Sequence, residues 1–202
     1  MTDRTKTELS PDQPDLSFLR QELLDLFCQL AYQTGNFVLS SGKHSSYYIN
    51  GKQVTLHAQG ALAIGQLLLS RLPVGTQAVA GLTLGADPIV SAVSVVSAYE
   101  NQPLPALIIR KEPKGHGTRA YIEGPTLAAG SKVVVLEDVV TTGQSALKAV
   151  ERLRQADYTV NQIIALVDRQ QGGAELYQQE GLKFEAIFSI PEIQKRWIEL
   201  MA

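Results

Sequence analysis

The feature that most constrains the fold is a regular alternation of apolar and amphipathic segments between about residue 77 and residue 190. Apolar segments such as "KVVVLED" and "VNQIIALVD" carry hydrophobic residues on both sides of an extended chain, as strands of a parallel sheet do when helices cover both faces. Segments with helical spacing, such as "QSALKAVERLRQA", separate them. The alternation predicts an α/β fold: a doubly wound, mostly parallel sheet with helices on both faces.

The N-terminal part of the chain has a different character. Residues 1–14 are polar and contain prolines, so we predict a disordered arm there. Residues 15–202 are predicted to form one domain. Its first part, about 15–57, adds a hood to that domain: a helix over "DLSFLRQELLDLFCQLAY" and an irregular hairpin or flap over "NFVLSSGKHSSYYINGKQV".

Composition and charge disfavour several classes of protein. A formal net charge of -2 argues against broad nucleic-acid binding. The chain has no apolar run near the ~20 residues of a membrane span, and its start does not resemble a signal peptide. We therefore expect a cytoplasmic protein with neither nucleic acid nor membrane as a partner. Cys28, the single cysteine, is predicted to be a core residue rather than a nucleophile.

The segment with the most chemical information is "VVVLEDVVTTGQSALKAV", which runs from Val133 to Val150. Two adjacent acids, Glu137 and Asp138, follow its apolar strand. Ligands of open α/β sheets bind beyond the carboxyl ends of the strands. Two carboxylates at that place can accept hydrogen bonds from neighbouring hydroxyls, such as those of a ribose, or approach a metal ion held by the ligand.

A turn with hydroxyl groups and a glycine comes next and leads into a helix. Free backbone N–H groups and the positive end of the helix dipole favour an anion there, and glycine lets the backbone approach it closely. Acids that can bind the sugar hydroxyls, next to a turn that can bind a phosphate, are the features expected of a ribose 5-phosphate site. The alternative is structural, a strand end followed by a helix cap. The residues of the turn are Thr141, Thr142, Gly143, Gln144 and Ser145.

This segment resembles the binding motif for phosphoribosyl pyrophosphate (PRPP) in the type I phosphoribosyltransferases. The resemblance implies that Glu137 and Asp138 hold the ribose hydroxyls and that residues 141–145 bind the 5-phosphate. "FVLSSGKHSSYYING", "GLTLGADPIV", "IIRKEPKGHGT" and "VDRQQGG" resemble, in the same order, segments of the orotate phosphoribosyltransferases within that family. The implied activity is transfer of the phosphoribosyl group from PRPP to N1 of orotate, in pyrimidine (UMP) biosynthesis.

The basic segment "RKEPKGHGTRAYIEG" predicts a long polar loop that can close over a polyanion, or else a solvated loop without a ligand. By resemblance, Lys111, Lys114 and His116 contact pyrophosphate and Arg110 also belongs to the PRPP site. The resemblance further implies a homodimer in which loop 110–119 reaches the neighbouring active site. Lys114 or His116 could supply a proton to the leaving pyrophosphate or to the base. With Asp138, these three residues are the candidate catalytic residues: Lys111, Lys114 and His116.

Two regions are candidates for binding orotate. The flap can give an aromatic or apolar wall and one positive charge, although a tyrosine pair can also be packing. Arg169 follows a predicted strand, and its guanidinium could pair bidentately with the carboxylate that orotate carries and uracil lacks. The alternative for Arg169 is a salt bridge with Asp168. The flap candidates are Lys43, Tyr47, Tyr48 and Ile49.

Two positions depart from the pattern of some members of this family. Ser40 stands where they have a lysine, and Leu84-Gly85 stands where they have an aromatic-lysine pair. A pyrophosphate contact from the second segment must therefore come from backbone N–H groups or be missing.

The expected cofactor is Mg²⁺, held mainly by the hydroxyls and pyrophosphate of the substrate rather than by a protein cage. Two other functions stay open. One is phosphoribosyl transfer to another base. The other is a non-catalytic nucleotide-binding regulator that keeps the same fold.

Overall fold

A computed structural model describes residues 15–38, 44–114 and 121–202 of the 202-residue chain. Its strands are β1 Tyr32–Val38, β2 His44–Ile49, β3 Ala78–Leu82, β4 Ala106–Ile109, β5 Ile122–Glu123, β6 Val133–Val140, β7 Gln162–Asp168 and β8 Lys183–Ser189. Its α-helices are α1 Leu16–Leu26, α2 Lys52–Thr55, α3 Ala58–Arg71, α4 Asp87–Tyr99, α5 Gln144–Gln155, α6 Gly173–Gln179 and α7 Ile190–Met201. A π-helical turn, Phe27–Ala31, follows α1.

The main sheet has the order β5-β4-β3-β6-β7-β8. All neighbours in it are parallel except β5, which runs antiparallel to β4. The carboxyl ends of the parallel strands therefore meet at one edge of the sheet. The predicted doubly wound α/β fold is confirmed.

The two faces of the sheet carry separate apolar clusters. In β6, Val134 and Leu136 belong to the cluster that includes α1, α3, α4 and α7, whereas Val133 and Val135 belong to the one beneath α5 and α6. Successive side chains of a strand point to opposite faces, so both faces of this strand are covered. This is why its sequence is apolar throughout rather than alternating.

The hood is a two-stranded antiparallel sheet of β1 and β2, with an irregularity between Thr34 and Phe37. Its Tyr32 ring stacks on Tyr47 at 5.8 Å between centroids and meets the edge of Trp197 of α7, also at 5.8 Å. The expected hairpin is confirmed, and Trp197 anchors the C-terminal helix against the hood.

Three local expectations were wrong or incomplete. The first helix was expected to continue to Tyr32, but the α-helix ends at Leu26 and β1 begins at Tyr32 directly after the π-helical turn. The polar loop up to Gly124 contains β5, whose two residues are too few for a sequence pattern to reveal. Strand β6 was expected to end at the acid pair, but it continues to Val140 because it still pairs with β7 there.

Cys28 is a buried residue of the first apolar cluster, so the prediction of a core cysteine is confirmed. Its Sγ lies 3.5 Å from the carbonyl oxygen of Ile193. Burial raises the pKa of its thiol to about 11, which keeps the thiol protonated near neutral pH. None of the helices within the described ranges is long and apolar enough to cross a membrane.

Candidate active site

The acid pair lies just beyond the part of β6 that pairs with β3, where the last paired residues are Ala80 and Val135. Glu137 and Asp138 are adjacent in the strand, so their side chains point to opposite faces. Glu137 is only 6% exposed and points toward α5 and α6. Asp138 lies against two glycine-bearing segments on the other side.

The carboxyl group of Glu137 is in an environment that disfavours its charge. Burial raises its pKa well above the ordinary range, the charge of Asp138 raises it further, and Lys111 has a smaller opposite effect. Oε1 accepts the backbone N–H of Asp138 at 3.3 Å. Oε2 is buried and has no partner among the described residues. One oxygen of this side chain is therefore available to a ligand hydroxyl.

Asp138 is enclosed by backbone rather than by side chains. Its Oδ1 accepts the N–H of Val139 at 2.8 Å. A methyl group built on Gly85 would lie 2.9 Å from both of its carboxylate oxygens, and one built on Gly51 would lie 3.5 Å from Oδ2. Glycine at position 85 lets this segment approach the carboxylate, while the neighbouring Leu84 side chain is exposed. The Leu84-Gly85 pair thus places backbone, not a side chain, beside the acid.

The predicted anion turn leads directly into α5, which begins at Gln144. Gly143 has φ +84°, and a methyl group on it would meet Cε1 of Tyr177 at 2.9 Å, so both conformation and space require glycine. A cavity of about 80 Å³ opens beside the turn. Residues of the predicted site line it together with Tyr177: Glu137, Thr141, Thr142, Gly143, Gln144 and Ser145.

Tyr177 is a site residue that the sequence did not single out. It is fully buried on α6, and its hydroxyl has no partner among the described residues. Burial, and after it the charges of Glu137 and Asp168, raise the pKa of this phenol above its usual value. The hydroxyl therefore stays a neutral group beneath the anion turn. In the sequence it looked like any apolar position of a short helix.

Arg169 follows the end of β7 and contacts the hood. Its Nε donates to the hydroxyl of Tyr47 at 3.1 Å, and its guanidinium carbon lies 4.9 Å from the centre of that ring. Nη2 is buried without a partner in the described parts of the chain. Asp168, the other partner considered for Arg169, instead accepts the N–H of Gln170 at 2.8 Å. Arg169 therefore keeps one buried N–H group without a partner where the end of β7 meets the hood.

The four flap candidates take different positions. Tyr47 faces Arg169, as described above. Tyr48 points the other way, is 42% exposed, and lies 5.6 Å from the ring of Phe37. Ile49 is buried in the first apolar cluster. Lys43 lies outside the described residues, as do Ser40 and His116.

The basic segment begins immediately after β4. Arg110 Nη1 lies 3.1 Å from Oε1 of Glu123, and Nζ of Lys114 lies 3.5 Å from the same oxygen. The side chains of both pairs are partly exposed, so the pairs are weak and easily exchanged. Lys111 is close enough to the acid pair to act on the pKa of Glu137.

Arg152 of α5 is a second residue that the sequence did not single out. Its guanidinium donates to the carbonyl oxygens of Arg110 and Lys111, the latter at 2.9 Å. The same group lies 4.0 Å from the centre of the Tyr121 ring. In the sequence it looked like one of several solvated charges on an amphipathic helix.

No group of three or more His, Cys, Asp or Glu residues that could hold a metal occurs within the described ranges. The acid pair nevertheless supplies carboxylate oxygens, the ligands that a hard cation prefers. The pair fits an ion that is shared with a bound ligand better than an ion held by protein alone.

Comparison with known proteins gives a consistent result. Residues 39–191 match the family model described as the phosphoribosyl transferase domain. A curated protein of Nostoc sp. named orotate phosphoribosyltransferase is 73% identical over 96% of this chain and 95% of its own length.

Solved structures give the same picture at lower identity. Orotate phosphoribosyltransferase of Mycobacterium tuberculosis H37Rv in complex with Fe(III) dicitrate has a TM-score of 0.77 and is 35% identical, covering 87% of this chain and 98% of that one. The same protein in complex with PRPP has a TM-score of 0.73 and is 32% identical, covering 87% and 99%.

Proposed function

The chain belongs to the phosphoribosyl transferase family and, within it, to the orotate phosphoribosyltransferases, and on this premise we propose how its site carries out their reaction. The 5-phosphoribosyl group of PRPP passes to N1 of orotate, giving orotidine 5-monophosphate and pyrophosphate. This is a step in the synthesis of the pyrimidine nucleotide UMP.

One observation carries the proposal. The acid pair and the turn that opens α5 share one strand end, and Arg169 lies at the end of the adjacent strand facing the hood. A sugar phosphate needs acceptors for its hydroxyls and donors for its phosphate, and orotate needs a cation for its carboxylate. Groups of these three kinds lie near one another at one edge of the sheet, which supports the proposal.

The ribose and its phosphate are assigned to β6 and the following turn. Glu137 and Asp138 accept hydrogen bonds from the ribose hydroxyls, and residues 141–145 bind the 5-phosphate through backbone N–H groups and hydroxyls. Cleavage at C1 develops positive charge on the ribose, which the carboxylate of Asp138 stabilises. The rate enhancement then comes from positioning and electrostatics rather than from a covalent intermediate.

The pyrophosphate is assigned to the basic segment. The charge of Lys111 acts on Glu137 of its own chain, whereas Arg110 and Lys114 must exchange Glu123 for the pyrophosphate. Because those ion pairs are partly exposed to water, the exchange costs little. We assign proton donation to Lys114 or to His116, the latter from the sequence alone.

Orotate is assigned to the region where Arg169 meets the hood. Since Nε of Arg169 is already bonded to Tyr47, the remaining nitrogens of the fork are the ones that pair with the orotate carboxylate. The ring of Tyr47 then forms a wall of the base pocket. Tyr48 and Lys43 are proposed to complete it, and Ile49 supports the hairpin from the core.

Mg²⁺ is the proposed cofactor. The ribose hydroxyls and the pyrophosphate of the substrate would hold it mainly, with a carboxylate oxygen of Asp138 or Glu137 beside them. When bound, the ion neutralises negative charge on the leaving pyrophosphate.

The remaining assignments follow from the family rather than from this chain alone. We propose a homodimer in which the 110–119 loop of one subunit reaches the site of the other, in the cytoplasm. Residues 15–202 would form the single catalytic domain, with 1–14 as an arm outside it.

The test follows the ultraviolet absorbance of orotate when purified protein is mixed with PRPP and Mg²⁺. Uracil, adenine and hypoxanthine are run in parallel, with pyrophosphate release as a second readout. We expect loss of orotate with stoichiometric pyrophosphate and no turnover of the other three bases. Omission of Mg²⁺ is expected to abolish turnover.

The alternatives give different results in the same assay. Turnover of another base but not of orotate would keep the ribose-phosphate site and overturn the assignment of the base pocket. Absence of turnover with all four bases, accompanied by binding of PRPP, is the result expected of a non-catalytic regulator.

A further inference from the structure

The guanidinium of Arg152 contacts both stems of the basic loop. It donates to the carbonyl oxygens of Arg110 and Lys111, which follow β4, and it covers the ring of Tyr121, which precedes β5. The two stems are also joined directly, because the N–H of Arg110 donates to the carbonyl oxygen of Tyr121 at 2.8 Å. Three groups from two chain segments therefore meet on one side chain.

The planar fork of arginine suits this arrangement. Two of its N–H groups can bind two consecutive carbonyl oxygens while its face stacks on an aromatic ring, which a lysine cannot reproduce. Arg154, on the same helix, gives a contrast: its Nη2 bonds the carbonyl oxygen of Val160 at 2.8 Å, away from the site. The loop contact is thus particular to Arg152 and not a general property of arginines on α5.

The position of Arg152 on α5 links the two anionic ends of PRPP. The helix begins at Gln144 in the anion turn, and Arg152 lies eight residues further on, which is about 12 Å along the axis. At that point it fixes the backbone of Lys111. The start of this helix therefore sets the position of the 5-phosphate turn. Its third turn, which carries Arg152, sets the position of Lys111, the lysine assigned to the pyrophosphate.

We propose that Arg152 is a positioning residue for the pyrophosphate end of the site, which acts by holding the peptide that carries Lys111 at a fixed distance from the 5-phosphate turn. The inference rests on the proposed function for the identity of the ligand. It assigns to Arg152 no contact with substrate. It predicts that the residue matters for PRPP and pyrophosphate and not for orotate.

The experiment compares wild type, Arg152→Met, Lys111→Ala and the double variant. Methionine keeps the apolar stem of the side chain and removes the fork. We expect Arg152→Met to lower kcat/KM for PRPP roughly 10- to 100-fold, as a displacement of about 1 Å does. The KM for orotate should stay within about twofold, because Arg169 and the hood are not touched.

The double variant tests the route of the effect. If Arg152 acts through Lys111, adding Arg152→Met to Lys111→Ala changes kcat/KM by less than about twofold. If the fold-losses of the two single variants multiply in the double variant, the proposal is overturned, since Arg152 then acts independently of Lys111. Arg154→Met is the matched control and should behave as wild type, and Arg152→Lys should fall between wild type and Arg152→Met.

Two further outcomes are decisive. Wild-type kinetics in Arg152→Met, or a uniform loss in all parameters together with a lower melting temperature, would leave Arg152 with at most a structural role. Calorimetric binding of PRPP to the same four proteins separates this inference from the proposed function. A wild type that binds PRPP but does not consume orotate contradicts the function alone, and weaker PRPP binding by Arg152→Met would still support the positioning role.

Discussion

Arg169 and Tyr47 contact each other across the candidate site, with 3.1 Å between Nε and the phenolic oxygen and 4.9 Å between the guanidinium carbon and the ring centre. Arg169 follows β7, whereas Tyr47 belongs to the hood, so the contact joins the sheet edge to a separate element. Tyr47 is itself stacked on Tyr32, which meets Trp197. The orientation of the arginine fork is therefore set by the hood and, through it, by the C-terminal helix.

The first prediction concerns this arginine. Arg169→Lys keeps the charge but cannot form the paired hydrogen bonds of a guanidinium. It should raise the KM for orotate by about 10- to 100-fold, which corresponds to the loss of one hydrogen bond to a charged group. The KM for PRPP should change little. Steady-state kinetics with each substrate varied in turn measures both values.

Tyr47→Phe is the matched control for Arg169→Lys. It keeps the ring against the guanidinium and loses only the hydroxyl that Nε reaches, so its effect on the KM for orotate should be smaller. If Arg169→Lys raised the KM for PRPP and left the KM for orotate unchanged, the assignment of Arg169 to the base pocket would be wrong.

The second prediction concerns Gly85. A methyl group there would lie 2.9 Å from both carboxylate oxygens of Asp138, closer than van der Waals contact allows. Gly85→Ala should therefore displace the carboxylate and lower kcat by roughly 100-fold, as a misplacement of about 1 Å can do. Turnover and melting temperature are measured together, and the melting temperature should change little because the atoms that must move are the end of one side chain rather than backbone.

Gly51→Ala provides the comparison for Gly85→Ala. Its methyl group would approach Oδ2 of the same Asp138 at 3.5 Å, an ordinary contact, so kcat should stay near that of wild type. Equal losses in the two variants would show that the approach to Asp138 is not what requires glycine at position 85.

The third prediction is a pH dependence of stability that originates in Glu137. Burial and the charge of Asp138 raise its pKa in the folded protein well above the usual range. A group with a raised folded pKa contributes stability that is fully present below its unfolded pKa and is lost as pH rises through the folded pKa. Wild type should therefore lose unfolding free energy with rising pH, and Glu137→Gln should lose less.

Chemical denaturation over a series of mildly acidic to mildly alkaline pH values measures this difference. Glu175→Gln, at an exposed position of α6, is the reference for replacing a glutamate and should follow wild type. Parallel pH profiles for wild type and Glu137→Gln would mean that Glu137 is not the group responsible.

Much of the fold was predictable because its signals are local. Strand β6 is apolar at every position from Val133 to Leu136, and α5 is amphipathic, so their types and order follow from periodicity. The short β5 was not predictable, since its two residues form a strand only because β4 lies beside them. The same holds for the end of β6 at Val140, which β7 determines.

The site was predictable to the same extent. The acids and the turn of residues 141–145 are neighbours in sequence, so a motif can reveal them. Tyr177 and Arg152 contribute through contacts between distant elements, and neither has a local signal. The separation of Tyr47 from Tyr48 does follow from the period of two in a strand, which assigns adjacent residues to opposite faces.

The last prediction concerns the contact between the first and last helices. Arg196 of α7 meets Asp25 of α1 through two parallel hydrogen bonds, Nε to Oδ1 at 2.7 Å and Nη2 to Oδ2 at 3.0 Å. The hydrogen bonds from Arg196 lower the pKa of Asp25 below its ordinary value. A lowered folded pKa contributes stability that is present above the unfolded pKa and is lost as pH falls through the folded pKa.

Asp25→Asn should therefore unfold at a lower denaturant concentration than wild type near neutral pH, and the difference should shrink in acid as the wild-type carboxylate is protonated. Arg196→Lys, which keeps the charge but cannot bond both oxygens in parallel, should lie between the two. Added salt should weaken the difference, because both side chains are partly exposed, at 28% and 27%. A gap between wild type and Asp25→Asn that stays constant into strong acid would assign the stabilisation to packing of the two helices instead of to the charged pair.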